Sequence, residues 1–199
     1  MMIVCLDLES ILFPEIWPMV AKQTKIKELE LTTRDIPNYQ ALMKKRLEVL
    51  KIHKIKLRDI QKIICRLRPL RGAVDFLDCL RKKFQVIILT DSFYEFTGPI
   101  MKRFSYPTVF CNSLEIGKNG FIENCQIKKN LKLRAVKFLK SLGFRVIAIG
   151  DSYNDLGMLK EAHLGILFNP PKKIIKQLPE VPVAKNYSQL KSILNNSDL

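Results

Sequence analysis

Three short apolar runs, each followed by polar residues, constrain what this chain of 199 residues can fold into. They are Met1 to Leu6 before Asp7, Phe84 to Leu89 before Thr90 and Asp91, and Phe144 to Ile149 before Gly150 and Asp151. Apolar runs of this length, bounded by turn residues, predict strands buried on both faces of a parallel sheet. Because ligands bind at the carboxyl ends of such strands, we expect the polar residues to meet in one crevice.

From Gly72 onward, segments with helical periodicity alternate with strand-like runs. Helices are predicted at 72–82, 93–104, 131–142 and 153–162, and strands at 84–90, 107–111, 144–149, 164–168 and 181–184, before a last helix. The dipeptide Asn119-Gly120 predicts a hairpin with a type I′ turn. The alternation predicts an α/β fold, a doubly wound Rossmann-like parallel sheet with right-handed crossovers.

The segment between the first strand and Gly72 has helical periodicity instead. One helix is predicted to start at Pro14-Glu15, with proline near its first position and an acid in its first turn. Amphipathic patterns predict two more helices, at 37–53 and 57–67. We therefore expect a small helical cap inserted after strand one of an α/β core. The cap would be residues 13–71, and the core would be residues 1–12 and 72–199.

The formal charge of +15 makes nucleic acid the first partner to consider. The excess is spread along the chain, without a basic tail or an aromatic-interleaved basic stripe. We therefore favour a lysine-rich surface, or a field that attracts small anionic substrates, over nucleic-acid binding. Five scattered cysteines without a CxxC pair predict reduced, mostly buried thiols in a cytoplasmic protein. No signal-peptide pattern or membrane-spanning run is expected to tie the chain to a membrane.

Two carboxylates close the first strand. Alternation along an extended chain would put Asp7 and Glu9 on the same side, one pleat apart. One of them could then stay ionised as a nucleophile and metal ligand, while the other is held protonated as a general acid. The same pattern is also found where a strand simply leaves a sheet for a polar loop.

The segment Gly150-Asp151-Ser152-Tyr153-Asn154-Asp155 is more specific. Glycine permits a tight turn after the strand, and two carboxylates one helical turn apart suit Mg²⁺, which prefers oxygen ligands. A simple helix-capping turn is the alternative. Thr90 could bind phosphate oxygens at the start of the next helix, or could only cap that helix. Lys132 carries no information by itself.

Taken together, the acid pair, the hydroxyl, the lysine and the G-D-x-x-x-D motif resemble the haloacid-dehalogenase-like phosphatases. Within that superfamily the chain is similar to the phosphoserine phosphatase branch, including its members that also transfer the phosphoryl group to homoserine. The segments that carry this resemblance are Cys5-Leu6-Asp7-Leu8-Glu9, Pro14-Glu15-Ile16-Trp17, Thr33-Arg34-Asp35-Ile36-Pro37, Asp91-Ser92-Phe93-Tyr94-Glu95-Phe96, Gly150 to Asp155, and Glu161-Ala162-His163.

The resemblance implies a Mg²⁺-dependent phosphatase that works through an aspartyl phosphate. Asp7 would be the nucleophile, Glu9 the general acid and base, and Lys132 the cation that offsets charge at the nucleophile. The metal site would consist of Asp7, the backbone carbonyl of Glu9, Asp151 and Asp155, the last positioning metal-bound waters. The substrate-binding residues would be Glu15, Arg46, Thr90, Asp91, Ser92 and Asn154.

In this reading the substrate is O-phospho-L-serine, homoserine is a second acceptor, and the enzyme is a cytoplasmic homodimer of serine and threonine biosynthesis. Two alternatives remain open. One is another small-molecule phosphomonoesterase of the same fold, serving methionine salvage or nucleotide turnover. The other is a basic nucleic-acid-binding protein without catalysis.

The chain departs from the pattern of this branch at two places. Ser10 stands where glycine usually follows the glutamate, and Thr90-Asp91-Ser92 replaces the usual Ser-Gly-Gly turn. Loss of glycines removes some close backbone approach to the substrate. Asp91 adds an acid beside the expected phosphate site, where it could engage a substrate amine.

Overall fold

A seven-stranded sheet forms the centre of the computed structural model, which describes residues 1–32, 35–36 and 38–196. The strands are β1 (Met2–Leu6), β2 (Gln85–Phe93), β3 (Thr108–Ile116), β4 (Ile122–Gln126), β5 (Arg145–Gly150), β6 (Leu164–Phe168) and β7 (Val183–Ala184). Their order is β4-β3-β2-β1-β5-β6-β7, and every neighbouring pair is parallel except β3 with β4. The predicted doubly wound sheet is confirmed. Its order reverses between β1 and β5, where ligands bind in such folds.

The helices follow the predicted alternation. They are α1 (Ile16–Thr24), α2 (Tyr39–Ile52), α3 (Leu57–Arg66), α4 (Ala73–Arg81), α5 (Tyr94–Met101), α6 (Leu131–Ser141), α7 (Leu156–Glu161), α8 (Lys172–Ile175) and α9 (Tyr187–Asn196). Short 3₁₀ helices cover Lys27–Glu30, Lys102–Phe104 and Tyr153–Asp155. Of the segment at 33–37 that supports the family resemblance, Thr33, Arg34 and Pro37 lie outside the described residues.

Helix α1 begins later than the sequence pattern predicted. Pro14 lies outside it, Glu15 is its N-cap, and its first turn holds no acidic residue. The cause is a tertiary contact, because the Ile16 N–H donates to the Glu9 carboxylate at 2.9 Å. A side chain from the loop after β1 thus satisfies the first free donor of the helix. The prediction of proline near the first position and an acid in the first turn is therefore wrong.

The hairpin predicted at Asn119-Gly120 joins β3 to β4, but its turn type differs. Gly120 has a φ of +82°, whereas Asn119 is not among the residues with positive φ. The Gly120 N–H donates to the Gly117 carbonyl at 2.8 Å, and the Gly117 N–H donates to the Phe121 carbonyl at 3.0 Å. This is a three-residue loop ending in a left-handed glycine, while a type I′ turn needs positive φ at both central residues. The predicted type I′ turn is wrong.

The helical segment α1–α3 packs on helix α5 and on the β3–β4 hairpin. Helix α3 lies against α5, and α2 lies against β4. Trp17 of α1 makes an edge-to-face contact with Phe96 of α5, with ring centroids 5.7 Å apart. Buried side chains of this segment join those of β1 and β2 in one hydrophobic cluster. This packing holds α1 and α2 beside the carboxyl ends of the strands.

Cysteine burial differs from the expectation. All five cysteines are free thiols. Only Cys5 is buried, whereas Cys65 is exposed and the other three are half-buried, so the expectation of mostly buried thiols is wrong. Across the described residues, every helix is too short or too polar to cross a membrane.

Candidate active site

Asp7 and Asp151 follow adjacent parallel strands at the point where the strand order reverses. β1 and β5 end immediately before them, and the Asp7 N–H donates to the Ile149 carbonyl at 3.0 Å. Asp7 is buried, and its Oδ1 accepts a hydrogen bond from the Leu8 N–H at 2.8 Å. The sheet thus brings together two carboxylates that are far apart in sequence.

A buried lysine lies among the carboxylates. Lys132, in the first turn of α6, is 4% exposed. Its Nζ lies 2.9 Å from Asp7 Oδ1, 2.7 Å from Asp155 Oδ1 and 3.6 Å from Asp91 Oδ2. Burial by itself would lower the pKa of Lys132, but the attraction of these three acids holds that pKa well above its ordinary value. Lys132 therefore remains a cation in the pocket.

Asp155 is fully buried and organises the loop after β5. Its Oδ2 accepts hydrogen bonds from the Asp151 N–H at 2.9 Å, the Ser152 N–H at 3.0 Å and the Ser152 hydroxyl at 3.0 Å. Gly150 packs directly against this side chain, since a Cβ at position 150 would lie 2.6 Å from Asp155 Cγ. Glycine is required there because any larger residue would displace Asp155.

Asp7, Asp151 and Asp155 form an acidic cluster in which one oxygen of each lies within 4.8 Å of the others. Burial raises the pKa of Asp7 well above its usual value; Lys132 opposes this shift, and the neighbouring acids add to it. Burial, and then repulsion from Asp155, raises the pKa of Asp151 to about 7. Carboxylate oxygens at this spacing match the ligands that a hard cation such as Mg²⁺ prefers. The donor set therefore fits the metal that the family resemblance implies.

Glu9 lies in the same pocket, although strand alternation does not place it there. The strand ends at Leu6, and the chain then turns tightly, with the Leu12 N–H donating to the Leu8 carbonyl at 2.8 Å. The prediction that strand alternation places Glu9 beside Asp7 is therefore wrong, because Glu9 reaches the pocket through this turn. Burial raises the pKa of Glu9, and the hydrogen bond from the Ile16 N–H opposes that shift.

A bulge in β2 carries three of the predicted substrate-binding residues into the pocket. Leu89 pairs with Phe110, and Phe93 pairs with Asn112. Between these pairs, β2 holds more residues than β3, so its backbone must project out of the ladder. The projecting residues that line the pocket are Thr90, Asp91 and Ser92.

Two side chains hold this bulge through the backbone carbonyl of Asp91. Asn112 Nδ2 donates to it at 2.8 Å, while Asn112 Oδ1 accepts from the Lys128 N–H at 2.8 Å. The hydroxyl of Tyr39, the first residue of α2, donates to the same carbonyl at 2.9 Å. One support therefore comes from the sheet and the other from the helical segment.

Arg46 of α2 reaches the pocket from the helical segment and is almost fully buried. Its guanidinium lies over the Trp17 ring, with Cζ 4.5 Å from the ring centroid, and its Nη2 donates to the Leu31 carbonyl at 2.7 Å. Burial lowers the pKa of Arg46 to about 10, which leaves it charged at neutral pH. Its Nε is buried without a hydrogen-bond partner among the described residues.

These groups surround a cavity of about 220 Å³. The predicted site residues that line it are Asp7, Glu9, Glu15, Arg46, Thr90, Asp91, Ser92, Lys132, Asp151 and Asn154. Asp155 instead lies fully buried beneath Lys132 and the loop after β5. The individual roles of these residues remain predictions.

Sequence reasoning missed two residues and undervalued a third. Trp17 was named only within the segment Pro14-Glu15-Ile16-Trp17, but its ring both packs on Phe96 and lines the cavity. Asn112, 1% exposed, could have been suspected as an amide directly after the predicted strand 107–111. Tyr39 could have been suspected because it lies seven residues before Arg46, on the same face of the predicted helix.

One class of hydrolases shares the arrangement seen here. It combines a mostly parallel sheet, acids where the strand order reverses and a helical insertion beside them. A family model described as haloacid dehalogenase-like hydrolase matches residues 15–163. The chain belongs to the haloacid dehalogenase-like hydrolase family.

Two relatives narrow this class. The chain is 50% identical over 192 residues to phosphoserine phosphatase ThrH of Pseudomonas aeruginosa, covering 96% of this chain and 94% of the relative. It is 48% identical over 190 residues to a phosphoserine phosphatase of Pseudomonas syringae pv. tomato, covering 95% and 80%. A solved structure described as a phospho-aspartyl intermediate analogue of phosphoserine phosphatase has a TM-score of 0.78 at 23% identity, covering 97% of both chains. That likeness supports the fold.

Proposed function

We propose that this protein is a Mg²⁺-dependent phosphoserine phosphatase that acts through an aspartyl phosphate on Asp7. The observation that carries the proposal is that Asp7, in contact with Lys132, shares one cavity with Arg46. A phosphate ester needs a nucleophile and cations at its reacting end, and phosphoserine also presents a carboxylate that a buried arginine can bind. The names of both Pseudomonas relatives support this substrate.

The acidic cluster supports a Mg²⁺ site held by Asp7, Asp151 and the backbone carbonyl of Glu9. When bound, the cation supplies positive charge that offsets the repulsion between a carboxylate and a phosphate dianion. Asp155 would hold Lys132 and the loop of Asp151 in place for the metal and its waters, because its oxygens accept hydrogen bonds from Lys132 and the Asp151 N–H.

In the first step Asp7 attacks phosphorus. Leu8 and Lys132 both contact Oδ1 of Asp7, so we assign the attack to Oδ2. The Oδ2–phosphorus bond forms while the bond from phosphorus to the serine oxygen breaks. Glu9, whose pKa is raised by burial, gives its proton to the leaving serine oxygen. Thr90 and Lys132 stabilise charge on the phosphoryl oxygens, and removing one such donor typically costs about 3 kcal/mol.

In the second step the phosphoryl group is transferred from Asp7 to an acceptor. Glu9 takes a proton from water or from the homoserine hydroxyl, whose oxygen then bonds to phosphorus as the bond to Asp7 breaks. The products are inorganic phosphate or phosphohomoserine. In either case Asp7 is free again and Glu9 again carries its proton.

The helical segment supplies the groups that recognise the amino-acid end. We propose that residues 13–71 act as a cap over a core of residues 1–12 and 72–199. Arg46 binds the substrate carboxylate, and Glu15, with Asp91, faces the substrate amine. Ser92 and Asn154 complete the contacts. The support is that these residues line one cavity from both parts of the chain.

The proposal extends to the cell and to the assembly. It includes serine and threonine biosynthesis, a cytoplasmic location and a homodimer, all of which follow from the family resemblance. Light scattering of the purified protein would measure the assembly directly.

The decisive experiment is phosphate release from phosphoserine, with and without homoserine, while phosphohomoserine is followed. We expect Arg46→Ala to lower kcat/KM for phosphoserine about 100-fold, because a charge-assisted contact is lost. Turnover of p-nitrophenyl phosphate, which has no carboxylate, should change little. Equal losses for both substrates, or a wild-type preference for another phosphomonoester, would support a different phosphatase of the same fold.

A further inference from the structure

We propose that the Tyr39 hydroxyl determines specificity by fixing the distance between the Arg46 guanidinium and the phosphate-binding bulge of β2. The inference rests on the proposed function, since it concerns how the same pocket measures its substrate. Tyr39 is a positioning residue, because its hydroxyl bonds the backbone carbonyl of Asp91 and acts through it.

Tyr39 and Arg46 are rigidly connected through α2. They are seven residues apart, which places them on one face of the helix about 10 Å apart along its axis. Both side chains line the cavity, and Arg46 is fixed further by its contacts with Trp17 and the Leu31 carbonyl. A hydrogen bond that ties Tyr39 to the bulge therefore also sets where Arg46 stands relative to Thr90.

The bulge keeps a second support, from Asn112, when the Tyr39 contact is removed. Asn112 is 1% exposed, and both ends of its amide are used, one on the Asp91 carbonyl and one on the Lys128 N–H. This support involves no residue of the helical segment, so it does not depend on the position of α2. Tyr39 instead fixes the position of α2 relative to the bulge.

The pocket environment keeps the Tyr39 hydroxyl a donor. Burial, and then repulsion from Asp91, raises the pKa of Tyr39, so the phenol does not ionise in the neutral range. The distance between Arg46 and the bulge matters only to a substrate that reaches both ends of the pocket. Phosphoserine does so with its phosphate and carboxylate, whereas p-nitrophenyl phosphate presents only the phosphate.

Tyr39→Phe removes the hydroxyl while keeping the ring. We expect kcat/KM for phosphoserine to fall about fivefold, the loss of one neutral hydrogen bond, while kcat/KM for p-nitrophenyl phosphate stays within twofold of wild type. The ratio of the two values does not depend on how much enzyme is folded. Gln61→Met is the matched control, because it removes another bond from the helical segment, from Gln61 Nε2 to the Glu95 carbonyl at 2.8 Å. Its ratio should equal that of wild type.

A double-mutant cycle gives the sharper test. In an Arg46→Ala background, Tyr39→Phe should lower kcat/KM for phosphoserine hardly any further, because the guanidinium whose position it fixes is gone. The inference is overturned if Tyr39→Phe lowers both substrates equally, keeps its full effect without Arg46, or leaves phosphoserine turnover unchanged in an enzyme that hydrolyses phosphoserine. A wild-type enzyme that does not hydrolyse phosphoserine would contradict the proposed function itself, and this inference with it.

Discussion

Ser10 shows how a single residue carries the geometry of the loop that presents Glu9. Its φ is +62°, in the left-handed region, and its N–H donates to the Phe13 carbonyl at 2.7 Å to close the turn. Glycine, usual at this position in the resembling branch, adopts that conformation freely, whereas an L residue there costs roughly 1–2 kcal/mol. The serine therefore keeps the turn but strains it.

Ser10→Gly should raise the free energy of unfolding by about 0.5–1 kcal/mol, since relief of strain exceeds the added entropy of glycine in the unfolded chain. The contact from Ser10 Oγ to Glu15 Oε1 is long, at 3.4 Å, so its loss costs little. Urea unfolding measures the change. Ser10→Ala is the control because it keeps the positive φ, and a Gly variant no more stable than the Ala variant would contradict the argument.

Asp151→Asn should stabilise the metal-free protein at alkaline pH. Burial, and then Asp155, raises the pKa of Asp151 to about 7, against about 3.9 in an unfolded chain. The folded state therefore binds more protons than the unfolded state between about pH 4 and 7, and stability falls as pH rises through that window. In chelator at pH 8 we expect a higher Tm for the variant, by about 2–4 °C for each kcal/mol regained, with a smaller gap at pH 5.

The same variant distinguishes the effect of Mg²⁺ binding on stability from the effect of protonation. Mg²⁺ should raise the Tm of the wild type at pH 8 by binding the folded state, and should raise that of Asp151→Asn much less. Equal Tm values for the two proteins in chelator at pH 8 would contradict the destabilising effect of ionised Asp151, and an equal Mg²⁺ response would contradict its role as a metal ligand.

At the level of elements, strands and helices were predictable, while their junctions were not. β1, β2 and β5 follow from apolar runs because burial on both faces leaves a local pattern. The bulge of β2 depends on its register against β3, and the start of α1 depends on a hydrogen bond from Glu9. Such tertiary contacts leave no periodic trace in the sequence, so the bonds of Tyr39 and Asn112 to the Asp91 carbonyl could not be predicted.

Gly150→Ala tests whether close approach positions the loop after β5. A Cβ at position 150 would overlap the Asp155 side chain, so we expect displacement of Asp155 and Lys132 and a loss of at least tenfold in kcat. Gly98→Ala in α5 is the matched control, because the added Cβ would lie in open space beyond the backbone of its own helix. It should keep full activity and gain about 0.5–1 kcal/mol of stability.

At the scale of the whole molecule, the charge of the pocket opposes the charge of the chain. The formal charge is +15, yet the cavity is lined by more acids than bases. The basic surface can draw anionic substrates toward the molecule, while the acids of the pocket hold cations at the reaction site. Motifs at strand ends are local, so the sequence itself pointed to Asp7, Thr90 and Asp151, and the sheet supplied their convergence. Glu15 and Arg46 were expected only from the family resemblance.

The most direct test of the account is where phosphate becomes attached. Protein incubated with ³²P-phosphoserine and Mg²⁺, then quenched in acid and digested, should carry label on the peptide that contains Asp7. Asp7→Asn should fold normally, carry no label and release no phosphate. Label on a peptide without Asp7, or phosphate release by Asp7→Asn at the wild-type rate, would contradict an aspartyl phosphate at this residue.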